Sequence, residues 1–550
     1  MHKLMKFVFG TILVLILIFI GLFIYVISAA QIEVPQIENQ ELLALKRAQK
    51  DSSFYTIGNN WFRKSETGLY EVYVEGDALS RGVILGKLTE ELVKKQEVVF
   101  NTQIEQLVRS STYRKFLTYF VGWFNRDLDD HVAEEYKLEI LGVSQAASHD
   151  YDHIAPAYQR ILNYHAAHDI GHALQNMSLV GCTSFAVWET SSQDSTLIIG
   201  RNFDFFVGDE FAQDKIVAFY SPSKGHKFMM ITWGGMTGVL SGMNDQGLTV
   251  TLNSAKSEVP LGAATPVSLL AREILQYAST IDEAYEVASK RKTFVAESFL
   301  IGSAKDKRAA IIEKTPSEIA LVESGTDWII DTNHFQSESL GNSELNQEHI
   351  KTSASPYRYD RVKELLLKEK VSVEKSVSIL RNRDGLHDQN IGLGNEKSIN
   401  QLVAHHAVVF QPEKGLVWVS TAPWQLGKFV AYDLNKIFAM PKIDNSEVYE
   451  GSLTIQADDF QSTLEYDNYL KYFHYRFPFQ PRREIIPDSI VKWNPELYYA
   501  HMLAGDEACN QQDYGKALGF FNEALKKEVA TEQERDYIKE RITYCKTKIE

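Results

Sequence analysis

The chain has 550 residues, room for more than one domain and a large core, and its 44% hydrophobic and 23% charged content are ordinary globular values. Its 57 basic against 72 acidic residues give a net charge of −15 with no Lys/Arg block, which argues against nucleic acid as a partner. Three cysteines, Cys182, Cys509 and Cys545, are too few for a disulfide framework.

In chain order, residues 1–6 form a short basic start (His2, Lys3, Lys6) and residues 7–30 an apolar run without charge. That run is long enough to cross the ~30 Å hydrocarbon core as a helix. The basic flank places the start in the cytoplasm and the bulk on the extracytoplasmic side, periplasmic or extracellular. A cleaved signal peptide ending at Ser28-Ala29-Ala30 is the alternative, although its apolar region would exceed the usual ~7–15 residues. Residues 31–181 are expected to be mainly helical. They open with a linker and a helix over residues 39–50, include a strand at Leu69–Val74, and end on a helix at Tyr158–Leu179 that leads to Gly181 and Cys182.

After Cys182 short β-rich runs dominate: Thr183–Trp188, Thr196–Ile199, Lys215–Tyr220, Phe228–Thr232, Val239–Met243 and Leu248–Leu252. Helices are expected at Pro266–Ala278 and Thr280–Arg291. Strands then follow at Ser298–Gly302, Arg308–Lys314, Ile319–Ser324 and Trp328–Asp331, a helix at Tyr357–Glu369, and late strands at Ala404–Phe410 and Leu416–Ser420. Strand clusters around a helical pair predict two stacked sheets with helices outside them. Residues 491–550 are helical again, and Gly505, Asp513-Tyr514, Ala517, Phe521 and Ala524 match the spacing of one tetratricopeptide repeat. One repeat cannot bury its own apolar face, so the segment is expected to pack on the preceding domain, with partner recruitment as the alternative. Cys509 and Cys545 read as buried thiols, a bridge between them being the other option.

The chemistry concentrates at Gly181-Cys182-Thr183-Ser184-Phe185 and Gly200-Arg201-Asn202-Phe203-Asp204-Phe205. A small residue and then a cysteine open one strand-like run, and a second run ends in Arg-x-x-Asp. That layout fits a cysteine that becomes a new chain terminus and then acts as a nucleophile. With Gly242-Met243-Asn244-Asp245-Gln246-Gly247-Leu248, Asn253, Asp331-Thr332-Asn333-His334 and Tyr357-Arg358-Tyr359-Asp360-Arg361, the sequence resembles the N-terminal-nucleophile (Ntn) hydrolases. Within them it is most similar to the acyl-CoA:6-aminopenicillanic acid acyltransferase family, and it also resembles choloylglycine hydrolase and penicillin V acylase. The resemblance covers about residues 70–440.

It implies an α/β (α+β) fold, a four-layer αββα Ntn-hydrolase sandwich with residues 182–490 as its catalytic segment. To this are added the N-terminal transmembrane helix and the C-terminal TPR-like extension. It also implies self-cutting between Gly181 and Cys182. A thiol with a reference pKa of ~8.5 is mostly protonated near neutrality. A terminal cysteine carries its own base, an α-amine titrating near ~7.7–8. Gly181 would let the backbone adopt the tight geometry of an N→S acyl shift. By resemblance, Arg201 favours thiolate, Asp204 holds the new amine, Asn253 donates to the oxyanion, Asn333 orients substrate amide and cysteine amine, and Arg358 completes the polar network. No cofactor and no metal are implied.

The sequence departs from the bile salt hydrolase pattern in its internal cysteine, an Asn253 loop one residue shorter, and the C-terminal extension. Taken singly, each motif has a plainer reading: Cys182 as a core thiol, Arg201 and Asp204 as an ion pair, Asn253 and Asn333 as turn residues, Arg358 as structural. His165, His168 and His172 have helical spacing that could hold zinc. His405-His406 reads as a packed or hydrogen-bonded pair, and Trp233-Gly234-Gly235-Met236 as a strand end and turn whose glycines would let substrate approach.

The expected function is hydrolysis of a linear N-acyl amide through a Cys182 thioester, with the two self-cleavage fragments staying associated. Alternatives are acyl transfer from a thioester or amide donor to an amine, general peptidase activity, and a non-catalytic envelope scaffold working through the TPR-like tail.

Overall fold

The structure is a computed structural model that describes residues 2–37, 39–174, 181–206, 209–256, 258, 262–440, 443, 445–477 and 486–550. The strands are β1 (Ala48–Gln49), β2 (Phe54–Ile57), β3 (Asn60–Lys64), β4 (Tyr70–Gly76), β5 (Thr183–Val187), β6 (Ile198–Asp204), β7 (Ile216–Pro222), β8 (Phe228–Thr232), β9 (Ser241–Asn244), β10 (Leu248–Ser254), β11 (Glu297–Ser303), β12 (Arg308–Lys314), β13 (Ile319–Glu323), β14 (Trp328–Asp331), β15 (Ala404–Gln411), β16 (Leu416–Ser420) and β17 (Phe429–Asp433). An 11-stranded sheet runs β1-β2-β3-β4-β7-β8-β9-β10-β11-β12-β13, and a 6-stranded sheet runs β14-β5-β6-β15-β16-β17. The β4–β7 pair is parallel, joining a strand that precedes Cys182 to one that follows it.

Strand alternation builds the layers. Val217 and Phe219 of β7 pack with Ile199 of β6 and Val408 and Phe410 of β15 in the core between the sheets. Ala218 and Tyr220 point the other way, into a core shared with Leu85, Ile140, Leu270 and Ile274 of the covering helices Ala78–Leu88, Glu134–Ser144 and Val267–Tyr277. On the far side of the smaller sheet, Phe185, Ile198 and Val409 pack against Val362, Leu365, Val377 and Leu380 of helices Ser355–Leu366 and Val373–Leu380. The order is helices, sheet, sheet, helices.

Two expectations change. The helix expected over residues 39–50 is a short 3-10 turn, Gln40–Ala44, followed by β1. Pairing of Ala48 with Thr56 and Gln49 with Tyr55 takes the backbone that a helix would need, while Arg47 lies 4.6 Å over the Tyr55 ring. The segment before Cys182 therefore carries β1 to β4 of the larger sheet as well as helices.

Covering helices are tied to one another by buried charge. Glu139 receives Arg81 Nη2 at 2.7 Å and Arg272 Nη2 at 3.2 Å, with no solvent exposure at the carboxylate. Arg272 also lies 4.3 Å over the Phe228 ring and 4.5 Å over Tyr220.

At the C-terminus, helices Tyr498–Asn510, Tyr514–Ala524 and Glu532–Ile549 share a core with Leu393, Leu402, Ala404, Trp424 and Leu426. Asn494 Nδ2 donates to Leu393 O at 2.8 Å and Asn395 Nδ2 to Glu528 O at 2.9 Å, so the tail is docked on the preceding domain. Cys509 and Cys545 are buried free thiols with sulfurs 3.4 Å apart. The first helix, His2–Ala29, includes a stretch, Met5–Val26, long and apolar enough to cross a membrane.

Candidate active site

Cys182 stands immediately before β5, and strand pairing decides its neighbours. Ser184 of β5 lies opposite Arg201 of β6 and opposite Asp331 of β14. The pairing brings Arg201 and Asp204 to one side of the cysteine and the Thr332-Asn333 segment to the other. β6 runs on through Asp204, so Arg201 and Asp204 sit on the strand itself and not just past it. Asn253 comes from β10 of the facing sheet, and Ser184 Oγ donates to its Oδ1 at 3.1 Å, bridging the two layers.

Arg201 is fully buried and also spans the layers. Its Nη1 donates to Leu240 O at 3.1 Å and to Ser241 Oγ; its Nη2 donates to Leu252 O and reaches Cys182 Sγ at 3.8 Å. Its guanidinium lies 4.5 Å over the Phe203 ring. Burial pushes the Cys182 thiol up to about 11, Arg201 pulling in the opposite direction. In the uncut chain the sulfur is therefore a protonated thiol near neutrality.

Asp204 is equally buried, and neither of its carboxylate oxygens has a hydrogen-bond partner among the described residues. Burial raises its carboxyl from 3.8 to about 7, against the lowering effect of Arg358 and Arg201. Arg201 and Asp204 do not form a hydrogen-bonded ion pair: the hydrogen bonds of Arg201 go to backbone carbonyls, Ser241, His406 Nε2 and the thiol. A buried polar group without a partner costs roughly 1–3 kcal/mol, more when charged, so this vacancy needs a reason.

Three expected residues complete the surroundings. Asn253 Nδ2 donates to Asp331 O at 2.9 Å, which engages one of its two amide hydrogens. Asn333 Nδ2 donates to Ser254 O at 2.9 Å, and its Oδ1 accepts from Arg358 Nη2. Arg358 Nη1 donates to Glu396 O at 2.9 Å. The two asparagines thus stitch the ends of β10 and β14 together instead of serving as free turn residues.

Two participants escaped the sequence reading. Ser241 holds Arg201 and contacts His406 Nε2 at 2.8 Å; its place just before Gly242 in the motif was the available signal. Gln401 donates from Nε2 to Gly181 O at 2.8 Å, and a lone glutamine in a loop carries no sequence signal.

Other candidates resolve differently. His165 donates or accepts through both ring nitrogens, to Ile161 O at 2.8 Å and at Thr237 Oγ1 at 3.0 Å, which leaves neither for a metal. The His168 and His172 side chains lie outside the described residues. His405 and His406 are buried with their Nδ1 atoms 2.9 Å apart, the packed pair expected. Gly234 is needed for close packing: a Cβ there would lie 2.2 Å from Leu92 O.

Comparison with known proteins agrees with the family the motifs resemble. Residues 188–422 match the family model of acyl-coenzyme A:6-aminopenicillanic acid acyl-transferase. An uncharacterized protein of Archaeoglobus fulgidus is 23% identical over 335 residues, 54% of each chain, so this chain spans about half the length of that relative. Among solved structures, a Caenorhabditis elegans N-acylethanolamine-hydrolyzing acid amidase ortholog is 18% identical with a TM-score of 0.31, covering 42% of this chain and 93% of that one. A mutant of the conjugated bile acid hydrolase from Clostridium perfringens is 13% identical with a TM-score of 0.33, covering 49% and 96%.

Proposed function

We propose that this chain, whose residues 188–422 carry the acyl-coenzyme A:6-aminopenicillanic acid acyl-transferase pattern, is an Ntn-type cysteine enzyme that cuts itself between Gly181 and Cys182 and then cleaves a linear N-acyl amide. The observation that carries this reading is the Asp204 carboxylate, buried beside Cys182 and without a partner among the described residues. Cutting creates an α-ammonium group on Cys182, the one new cation the reaction produces, and Asp204 is placed to take it.

The proposed mechanism uses the residues of this site. The free amine of Cys182 replaces the missing base and takes the thiol proton. Arg201 stabilises the thiolate by its charge. The sulfur attacks the acyl carbonyl, and the free amide hydrogen of Asn253 donates to the oxyanion, a contribution of ~3–4 kcal/mol. Asn333, fixed by Arg358, orients the substrate amide. The amine leaves with a proton, and water hydrolyses the thioester. The family match also favours a second reading, in which an amine accepts the acyl group in place of water.

In this proposal the N-terminal helix anchors the enzyme with its catalytic part on the extracytoplasmic side, and the TPR-like tail is a docked extension. The test is intact mass and N-terminal sequencing of the purified protein beside Cys182→Ala. Fragments 1–181 and 182–550 in the wild type alone are the expected result. An uncut wild type removes the terminal amine from the mechanism and defeats the reading.

A further inference from the structure

The carbonyl that self-cutting must attack is already held. Gly181 O accepts the Gln401 Nε2 hydrogen at 2.8 Å, and Gly181 N donates to Asp204 O at 3.1 Å. The scissile residue is thus pinned on both sides, immediately before the sulfur that attacks it. The contact also explains why position 181 is glycine. A Cβ there would lie 2.2 Å from Gln401 Nε2 and 2.6 Å from its Oε1, so any side chain would displace the amide from the carbonyl.

Gln401 is aimed by a constrained turn. Leu402 takes the left-handed conformation, φ 56°, which a branched apolar residue rarely adopts. Asn400 supports the turn: its Oδ1 accepts from Leu402 N at 3.0 Å and its N donates to Asn382 O at 2.8 Å. The glutamine is buried, so its hydrogen bond to Gly181 forms away from bulk water.

We propose that Gln401 is the oxyanion donor of the self-cutting step. This rests on the reading that the chain cuts between Gly181 and Cys182. The Cys182 thiol adds to the Gly181 carbonyl carbon, and the oxygen becomes an anion held by the Gln401 N–H. The C–N bond then breaks, the thiol proton passes to the leaving nitrogen, and a Gly181 thioester forms on Cys182. Water hydrolyses that thioester, leaving a Gly181 carboxylate, the free thiol and a Cys182 α-amine. A donor at the carbonyl stabilises the charged intermediate more than the neutral ground state, the condition for rate acceleration. The assignment separates the two reactions of the site: Gln401 serves the chain's own carbonyl, while Asn253 serves the substrate's.

The experiment follows the rate of appearance of the 182–550 fragment in the wild type, Gln401→Met and Gln401→Glu, with folding checked by thermal melting. Gln401→Met keeps the shape and removes the donor, and it is expected to slow cutting by ~10²–10³-fold at every pH. Gln401→Glu is expected to cut slowly where its carboxyl is ionised. It should approach the wild-type rate at acid pH, where a protonated carboxyl again donates; a purely structural role would not give that recovery. Should Gln401→Met fail to fold, the pH profile of the near-isosteric Gln401→Glu decides alone. Cutting of Gln401→Met at the wild-type rate, or of Gln401→Glu at a rate parallel to wild type across pH, overturns the proposal while self-cutting stands. A wild type that remains uncut overturns self-cutting and this proposal together.

Discussion

Two clusters of buried charge in this molecule are built in opposite ways. Around Glu139 every charge is answered: two arginines converge on one carboxylate, and two aromatic rings face Arg272. Around Cys182 the charges are held apart: Arg201 directs its hydrogen bonds to carbonyls and Ser241, and neither Asp204 oxygen has a partner among the described residues. The first arrangement suits a joint between helices. The second leaves a place that the proposed α-ammonium of Cys182 would fill. Burial alone therefore does not mark a site; a buried ionisable group without a partner beside a nucleophile makes a candidate of one.

Removing one partner should break the first cluster hardest. Glu139→Gln leaves Arg81 and Arg272 buried without a counter-charge, and loss of ~3–5 kcal/mol is expected in chemical denaturation, with turnover per folded molecule unchanged. A stability equal to wild type would mean the cluster is not the joint described. The second cluster should respond in the other currency of the molecule, its rate. Asp204→Asn is expected to lower amide turnover per cut molecule by ~10²-fold, because the α-amine loses its anchor. Turnover at the wild-type level would take Asp204 out of the mechanism.

The mildest expected effect is a pH slope in the uncut form, examined in Cys182→Ala. The folded Asp204 carboxyl titrates at about 7 against an ordinary value of 3.8, so between those values the folded state binds more protons than the unfolded state. Stability then falls as pH rises through that window, by up to one proton's slope. Adding Asp204→Asn to Cys182→Ala should flatten it; a slope that survives the second substitution would assign it to other groups.

Much of this difference was legible beforehand, for reasons that can be named. Cys182, Arg201 and Asp204 are readable because the cysteine opens β5 and the other two sit on β6, its paired neighbour, where a few residue types at fixed spacing determine the neighbours. Strands such as Arg308–Lys314 are readable because both faces are buried and the run is apolar throughout its middle. The helix expected over residues 39–50 failed because β1 is recruited by β2, a tertiary pairing that local periodicity does not contain. β2 and β3 were overlooked for a related reason: their mixed composition, FYTI and NWFRK, acquires meaning only beside β4. Gln401 was invisible because its partner lies 220 residues away and its role is a single contact.

The parallel pairing of Tyr70–Gly76 with Ile216–Pro222 has a consequence for the enzyme's life after the proposed cut. Seven residues of one polypeptide would then be a permanent inner strand of another, with the Glu139–Arg272 contact crossing the same divide. The shorter chain would be a resident subunit and not a discarded leader. Since the apolar first helix belongs to that subunit, the nucleophile would be moored by an association between two polypeptides, and the mooring would last as long as the sheet remains whole.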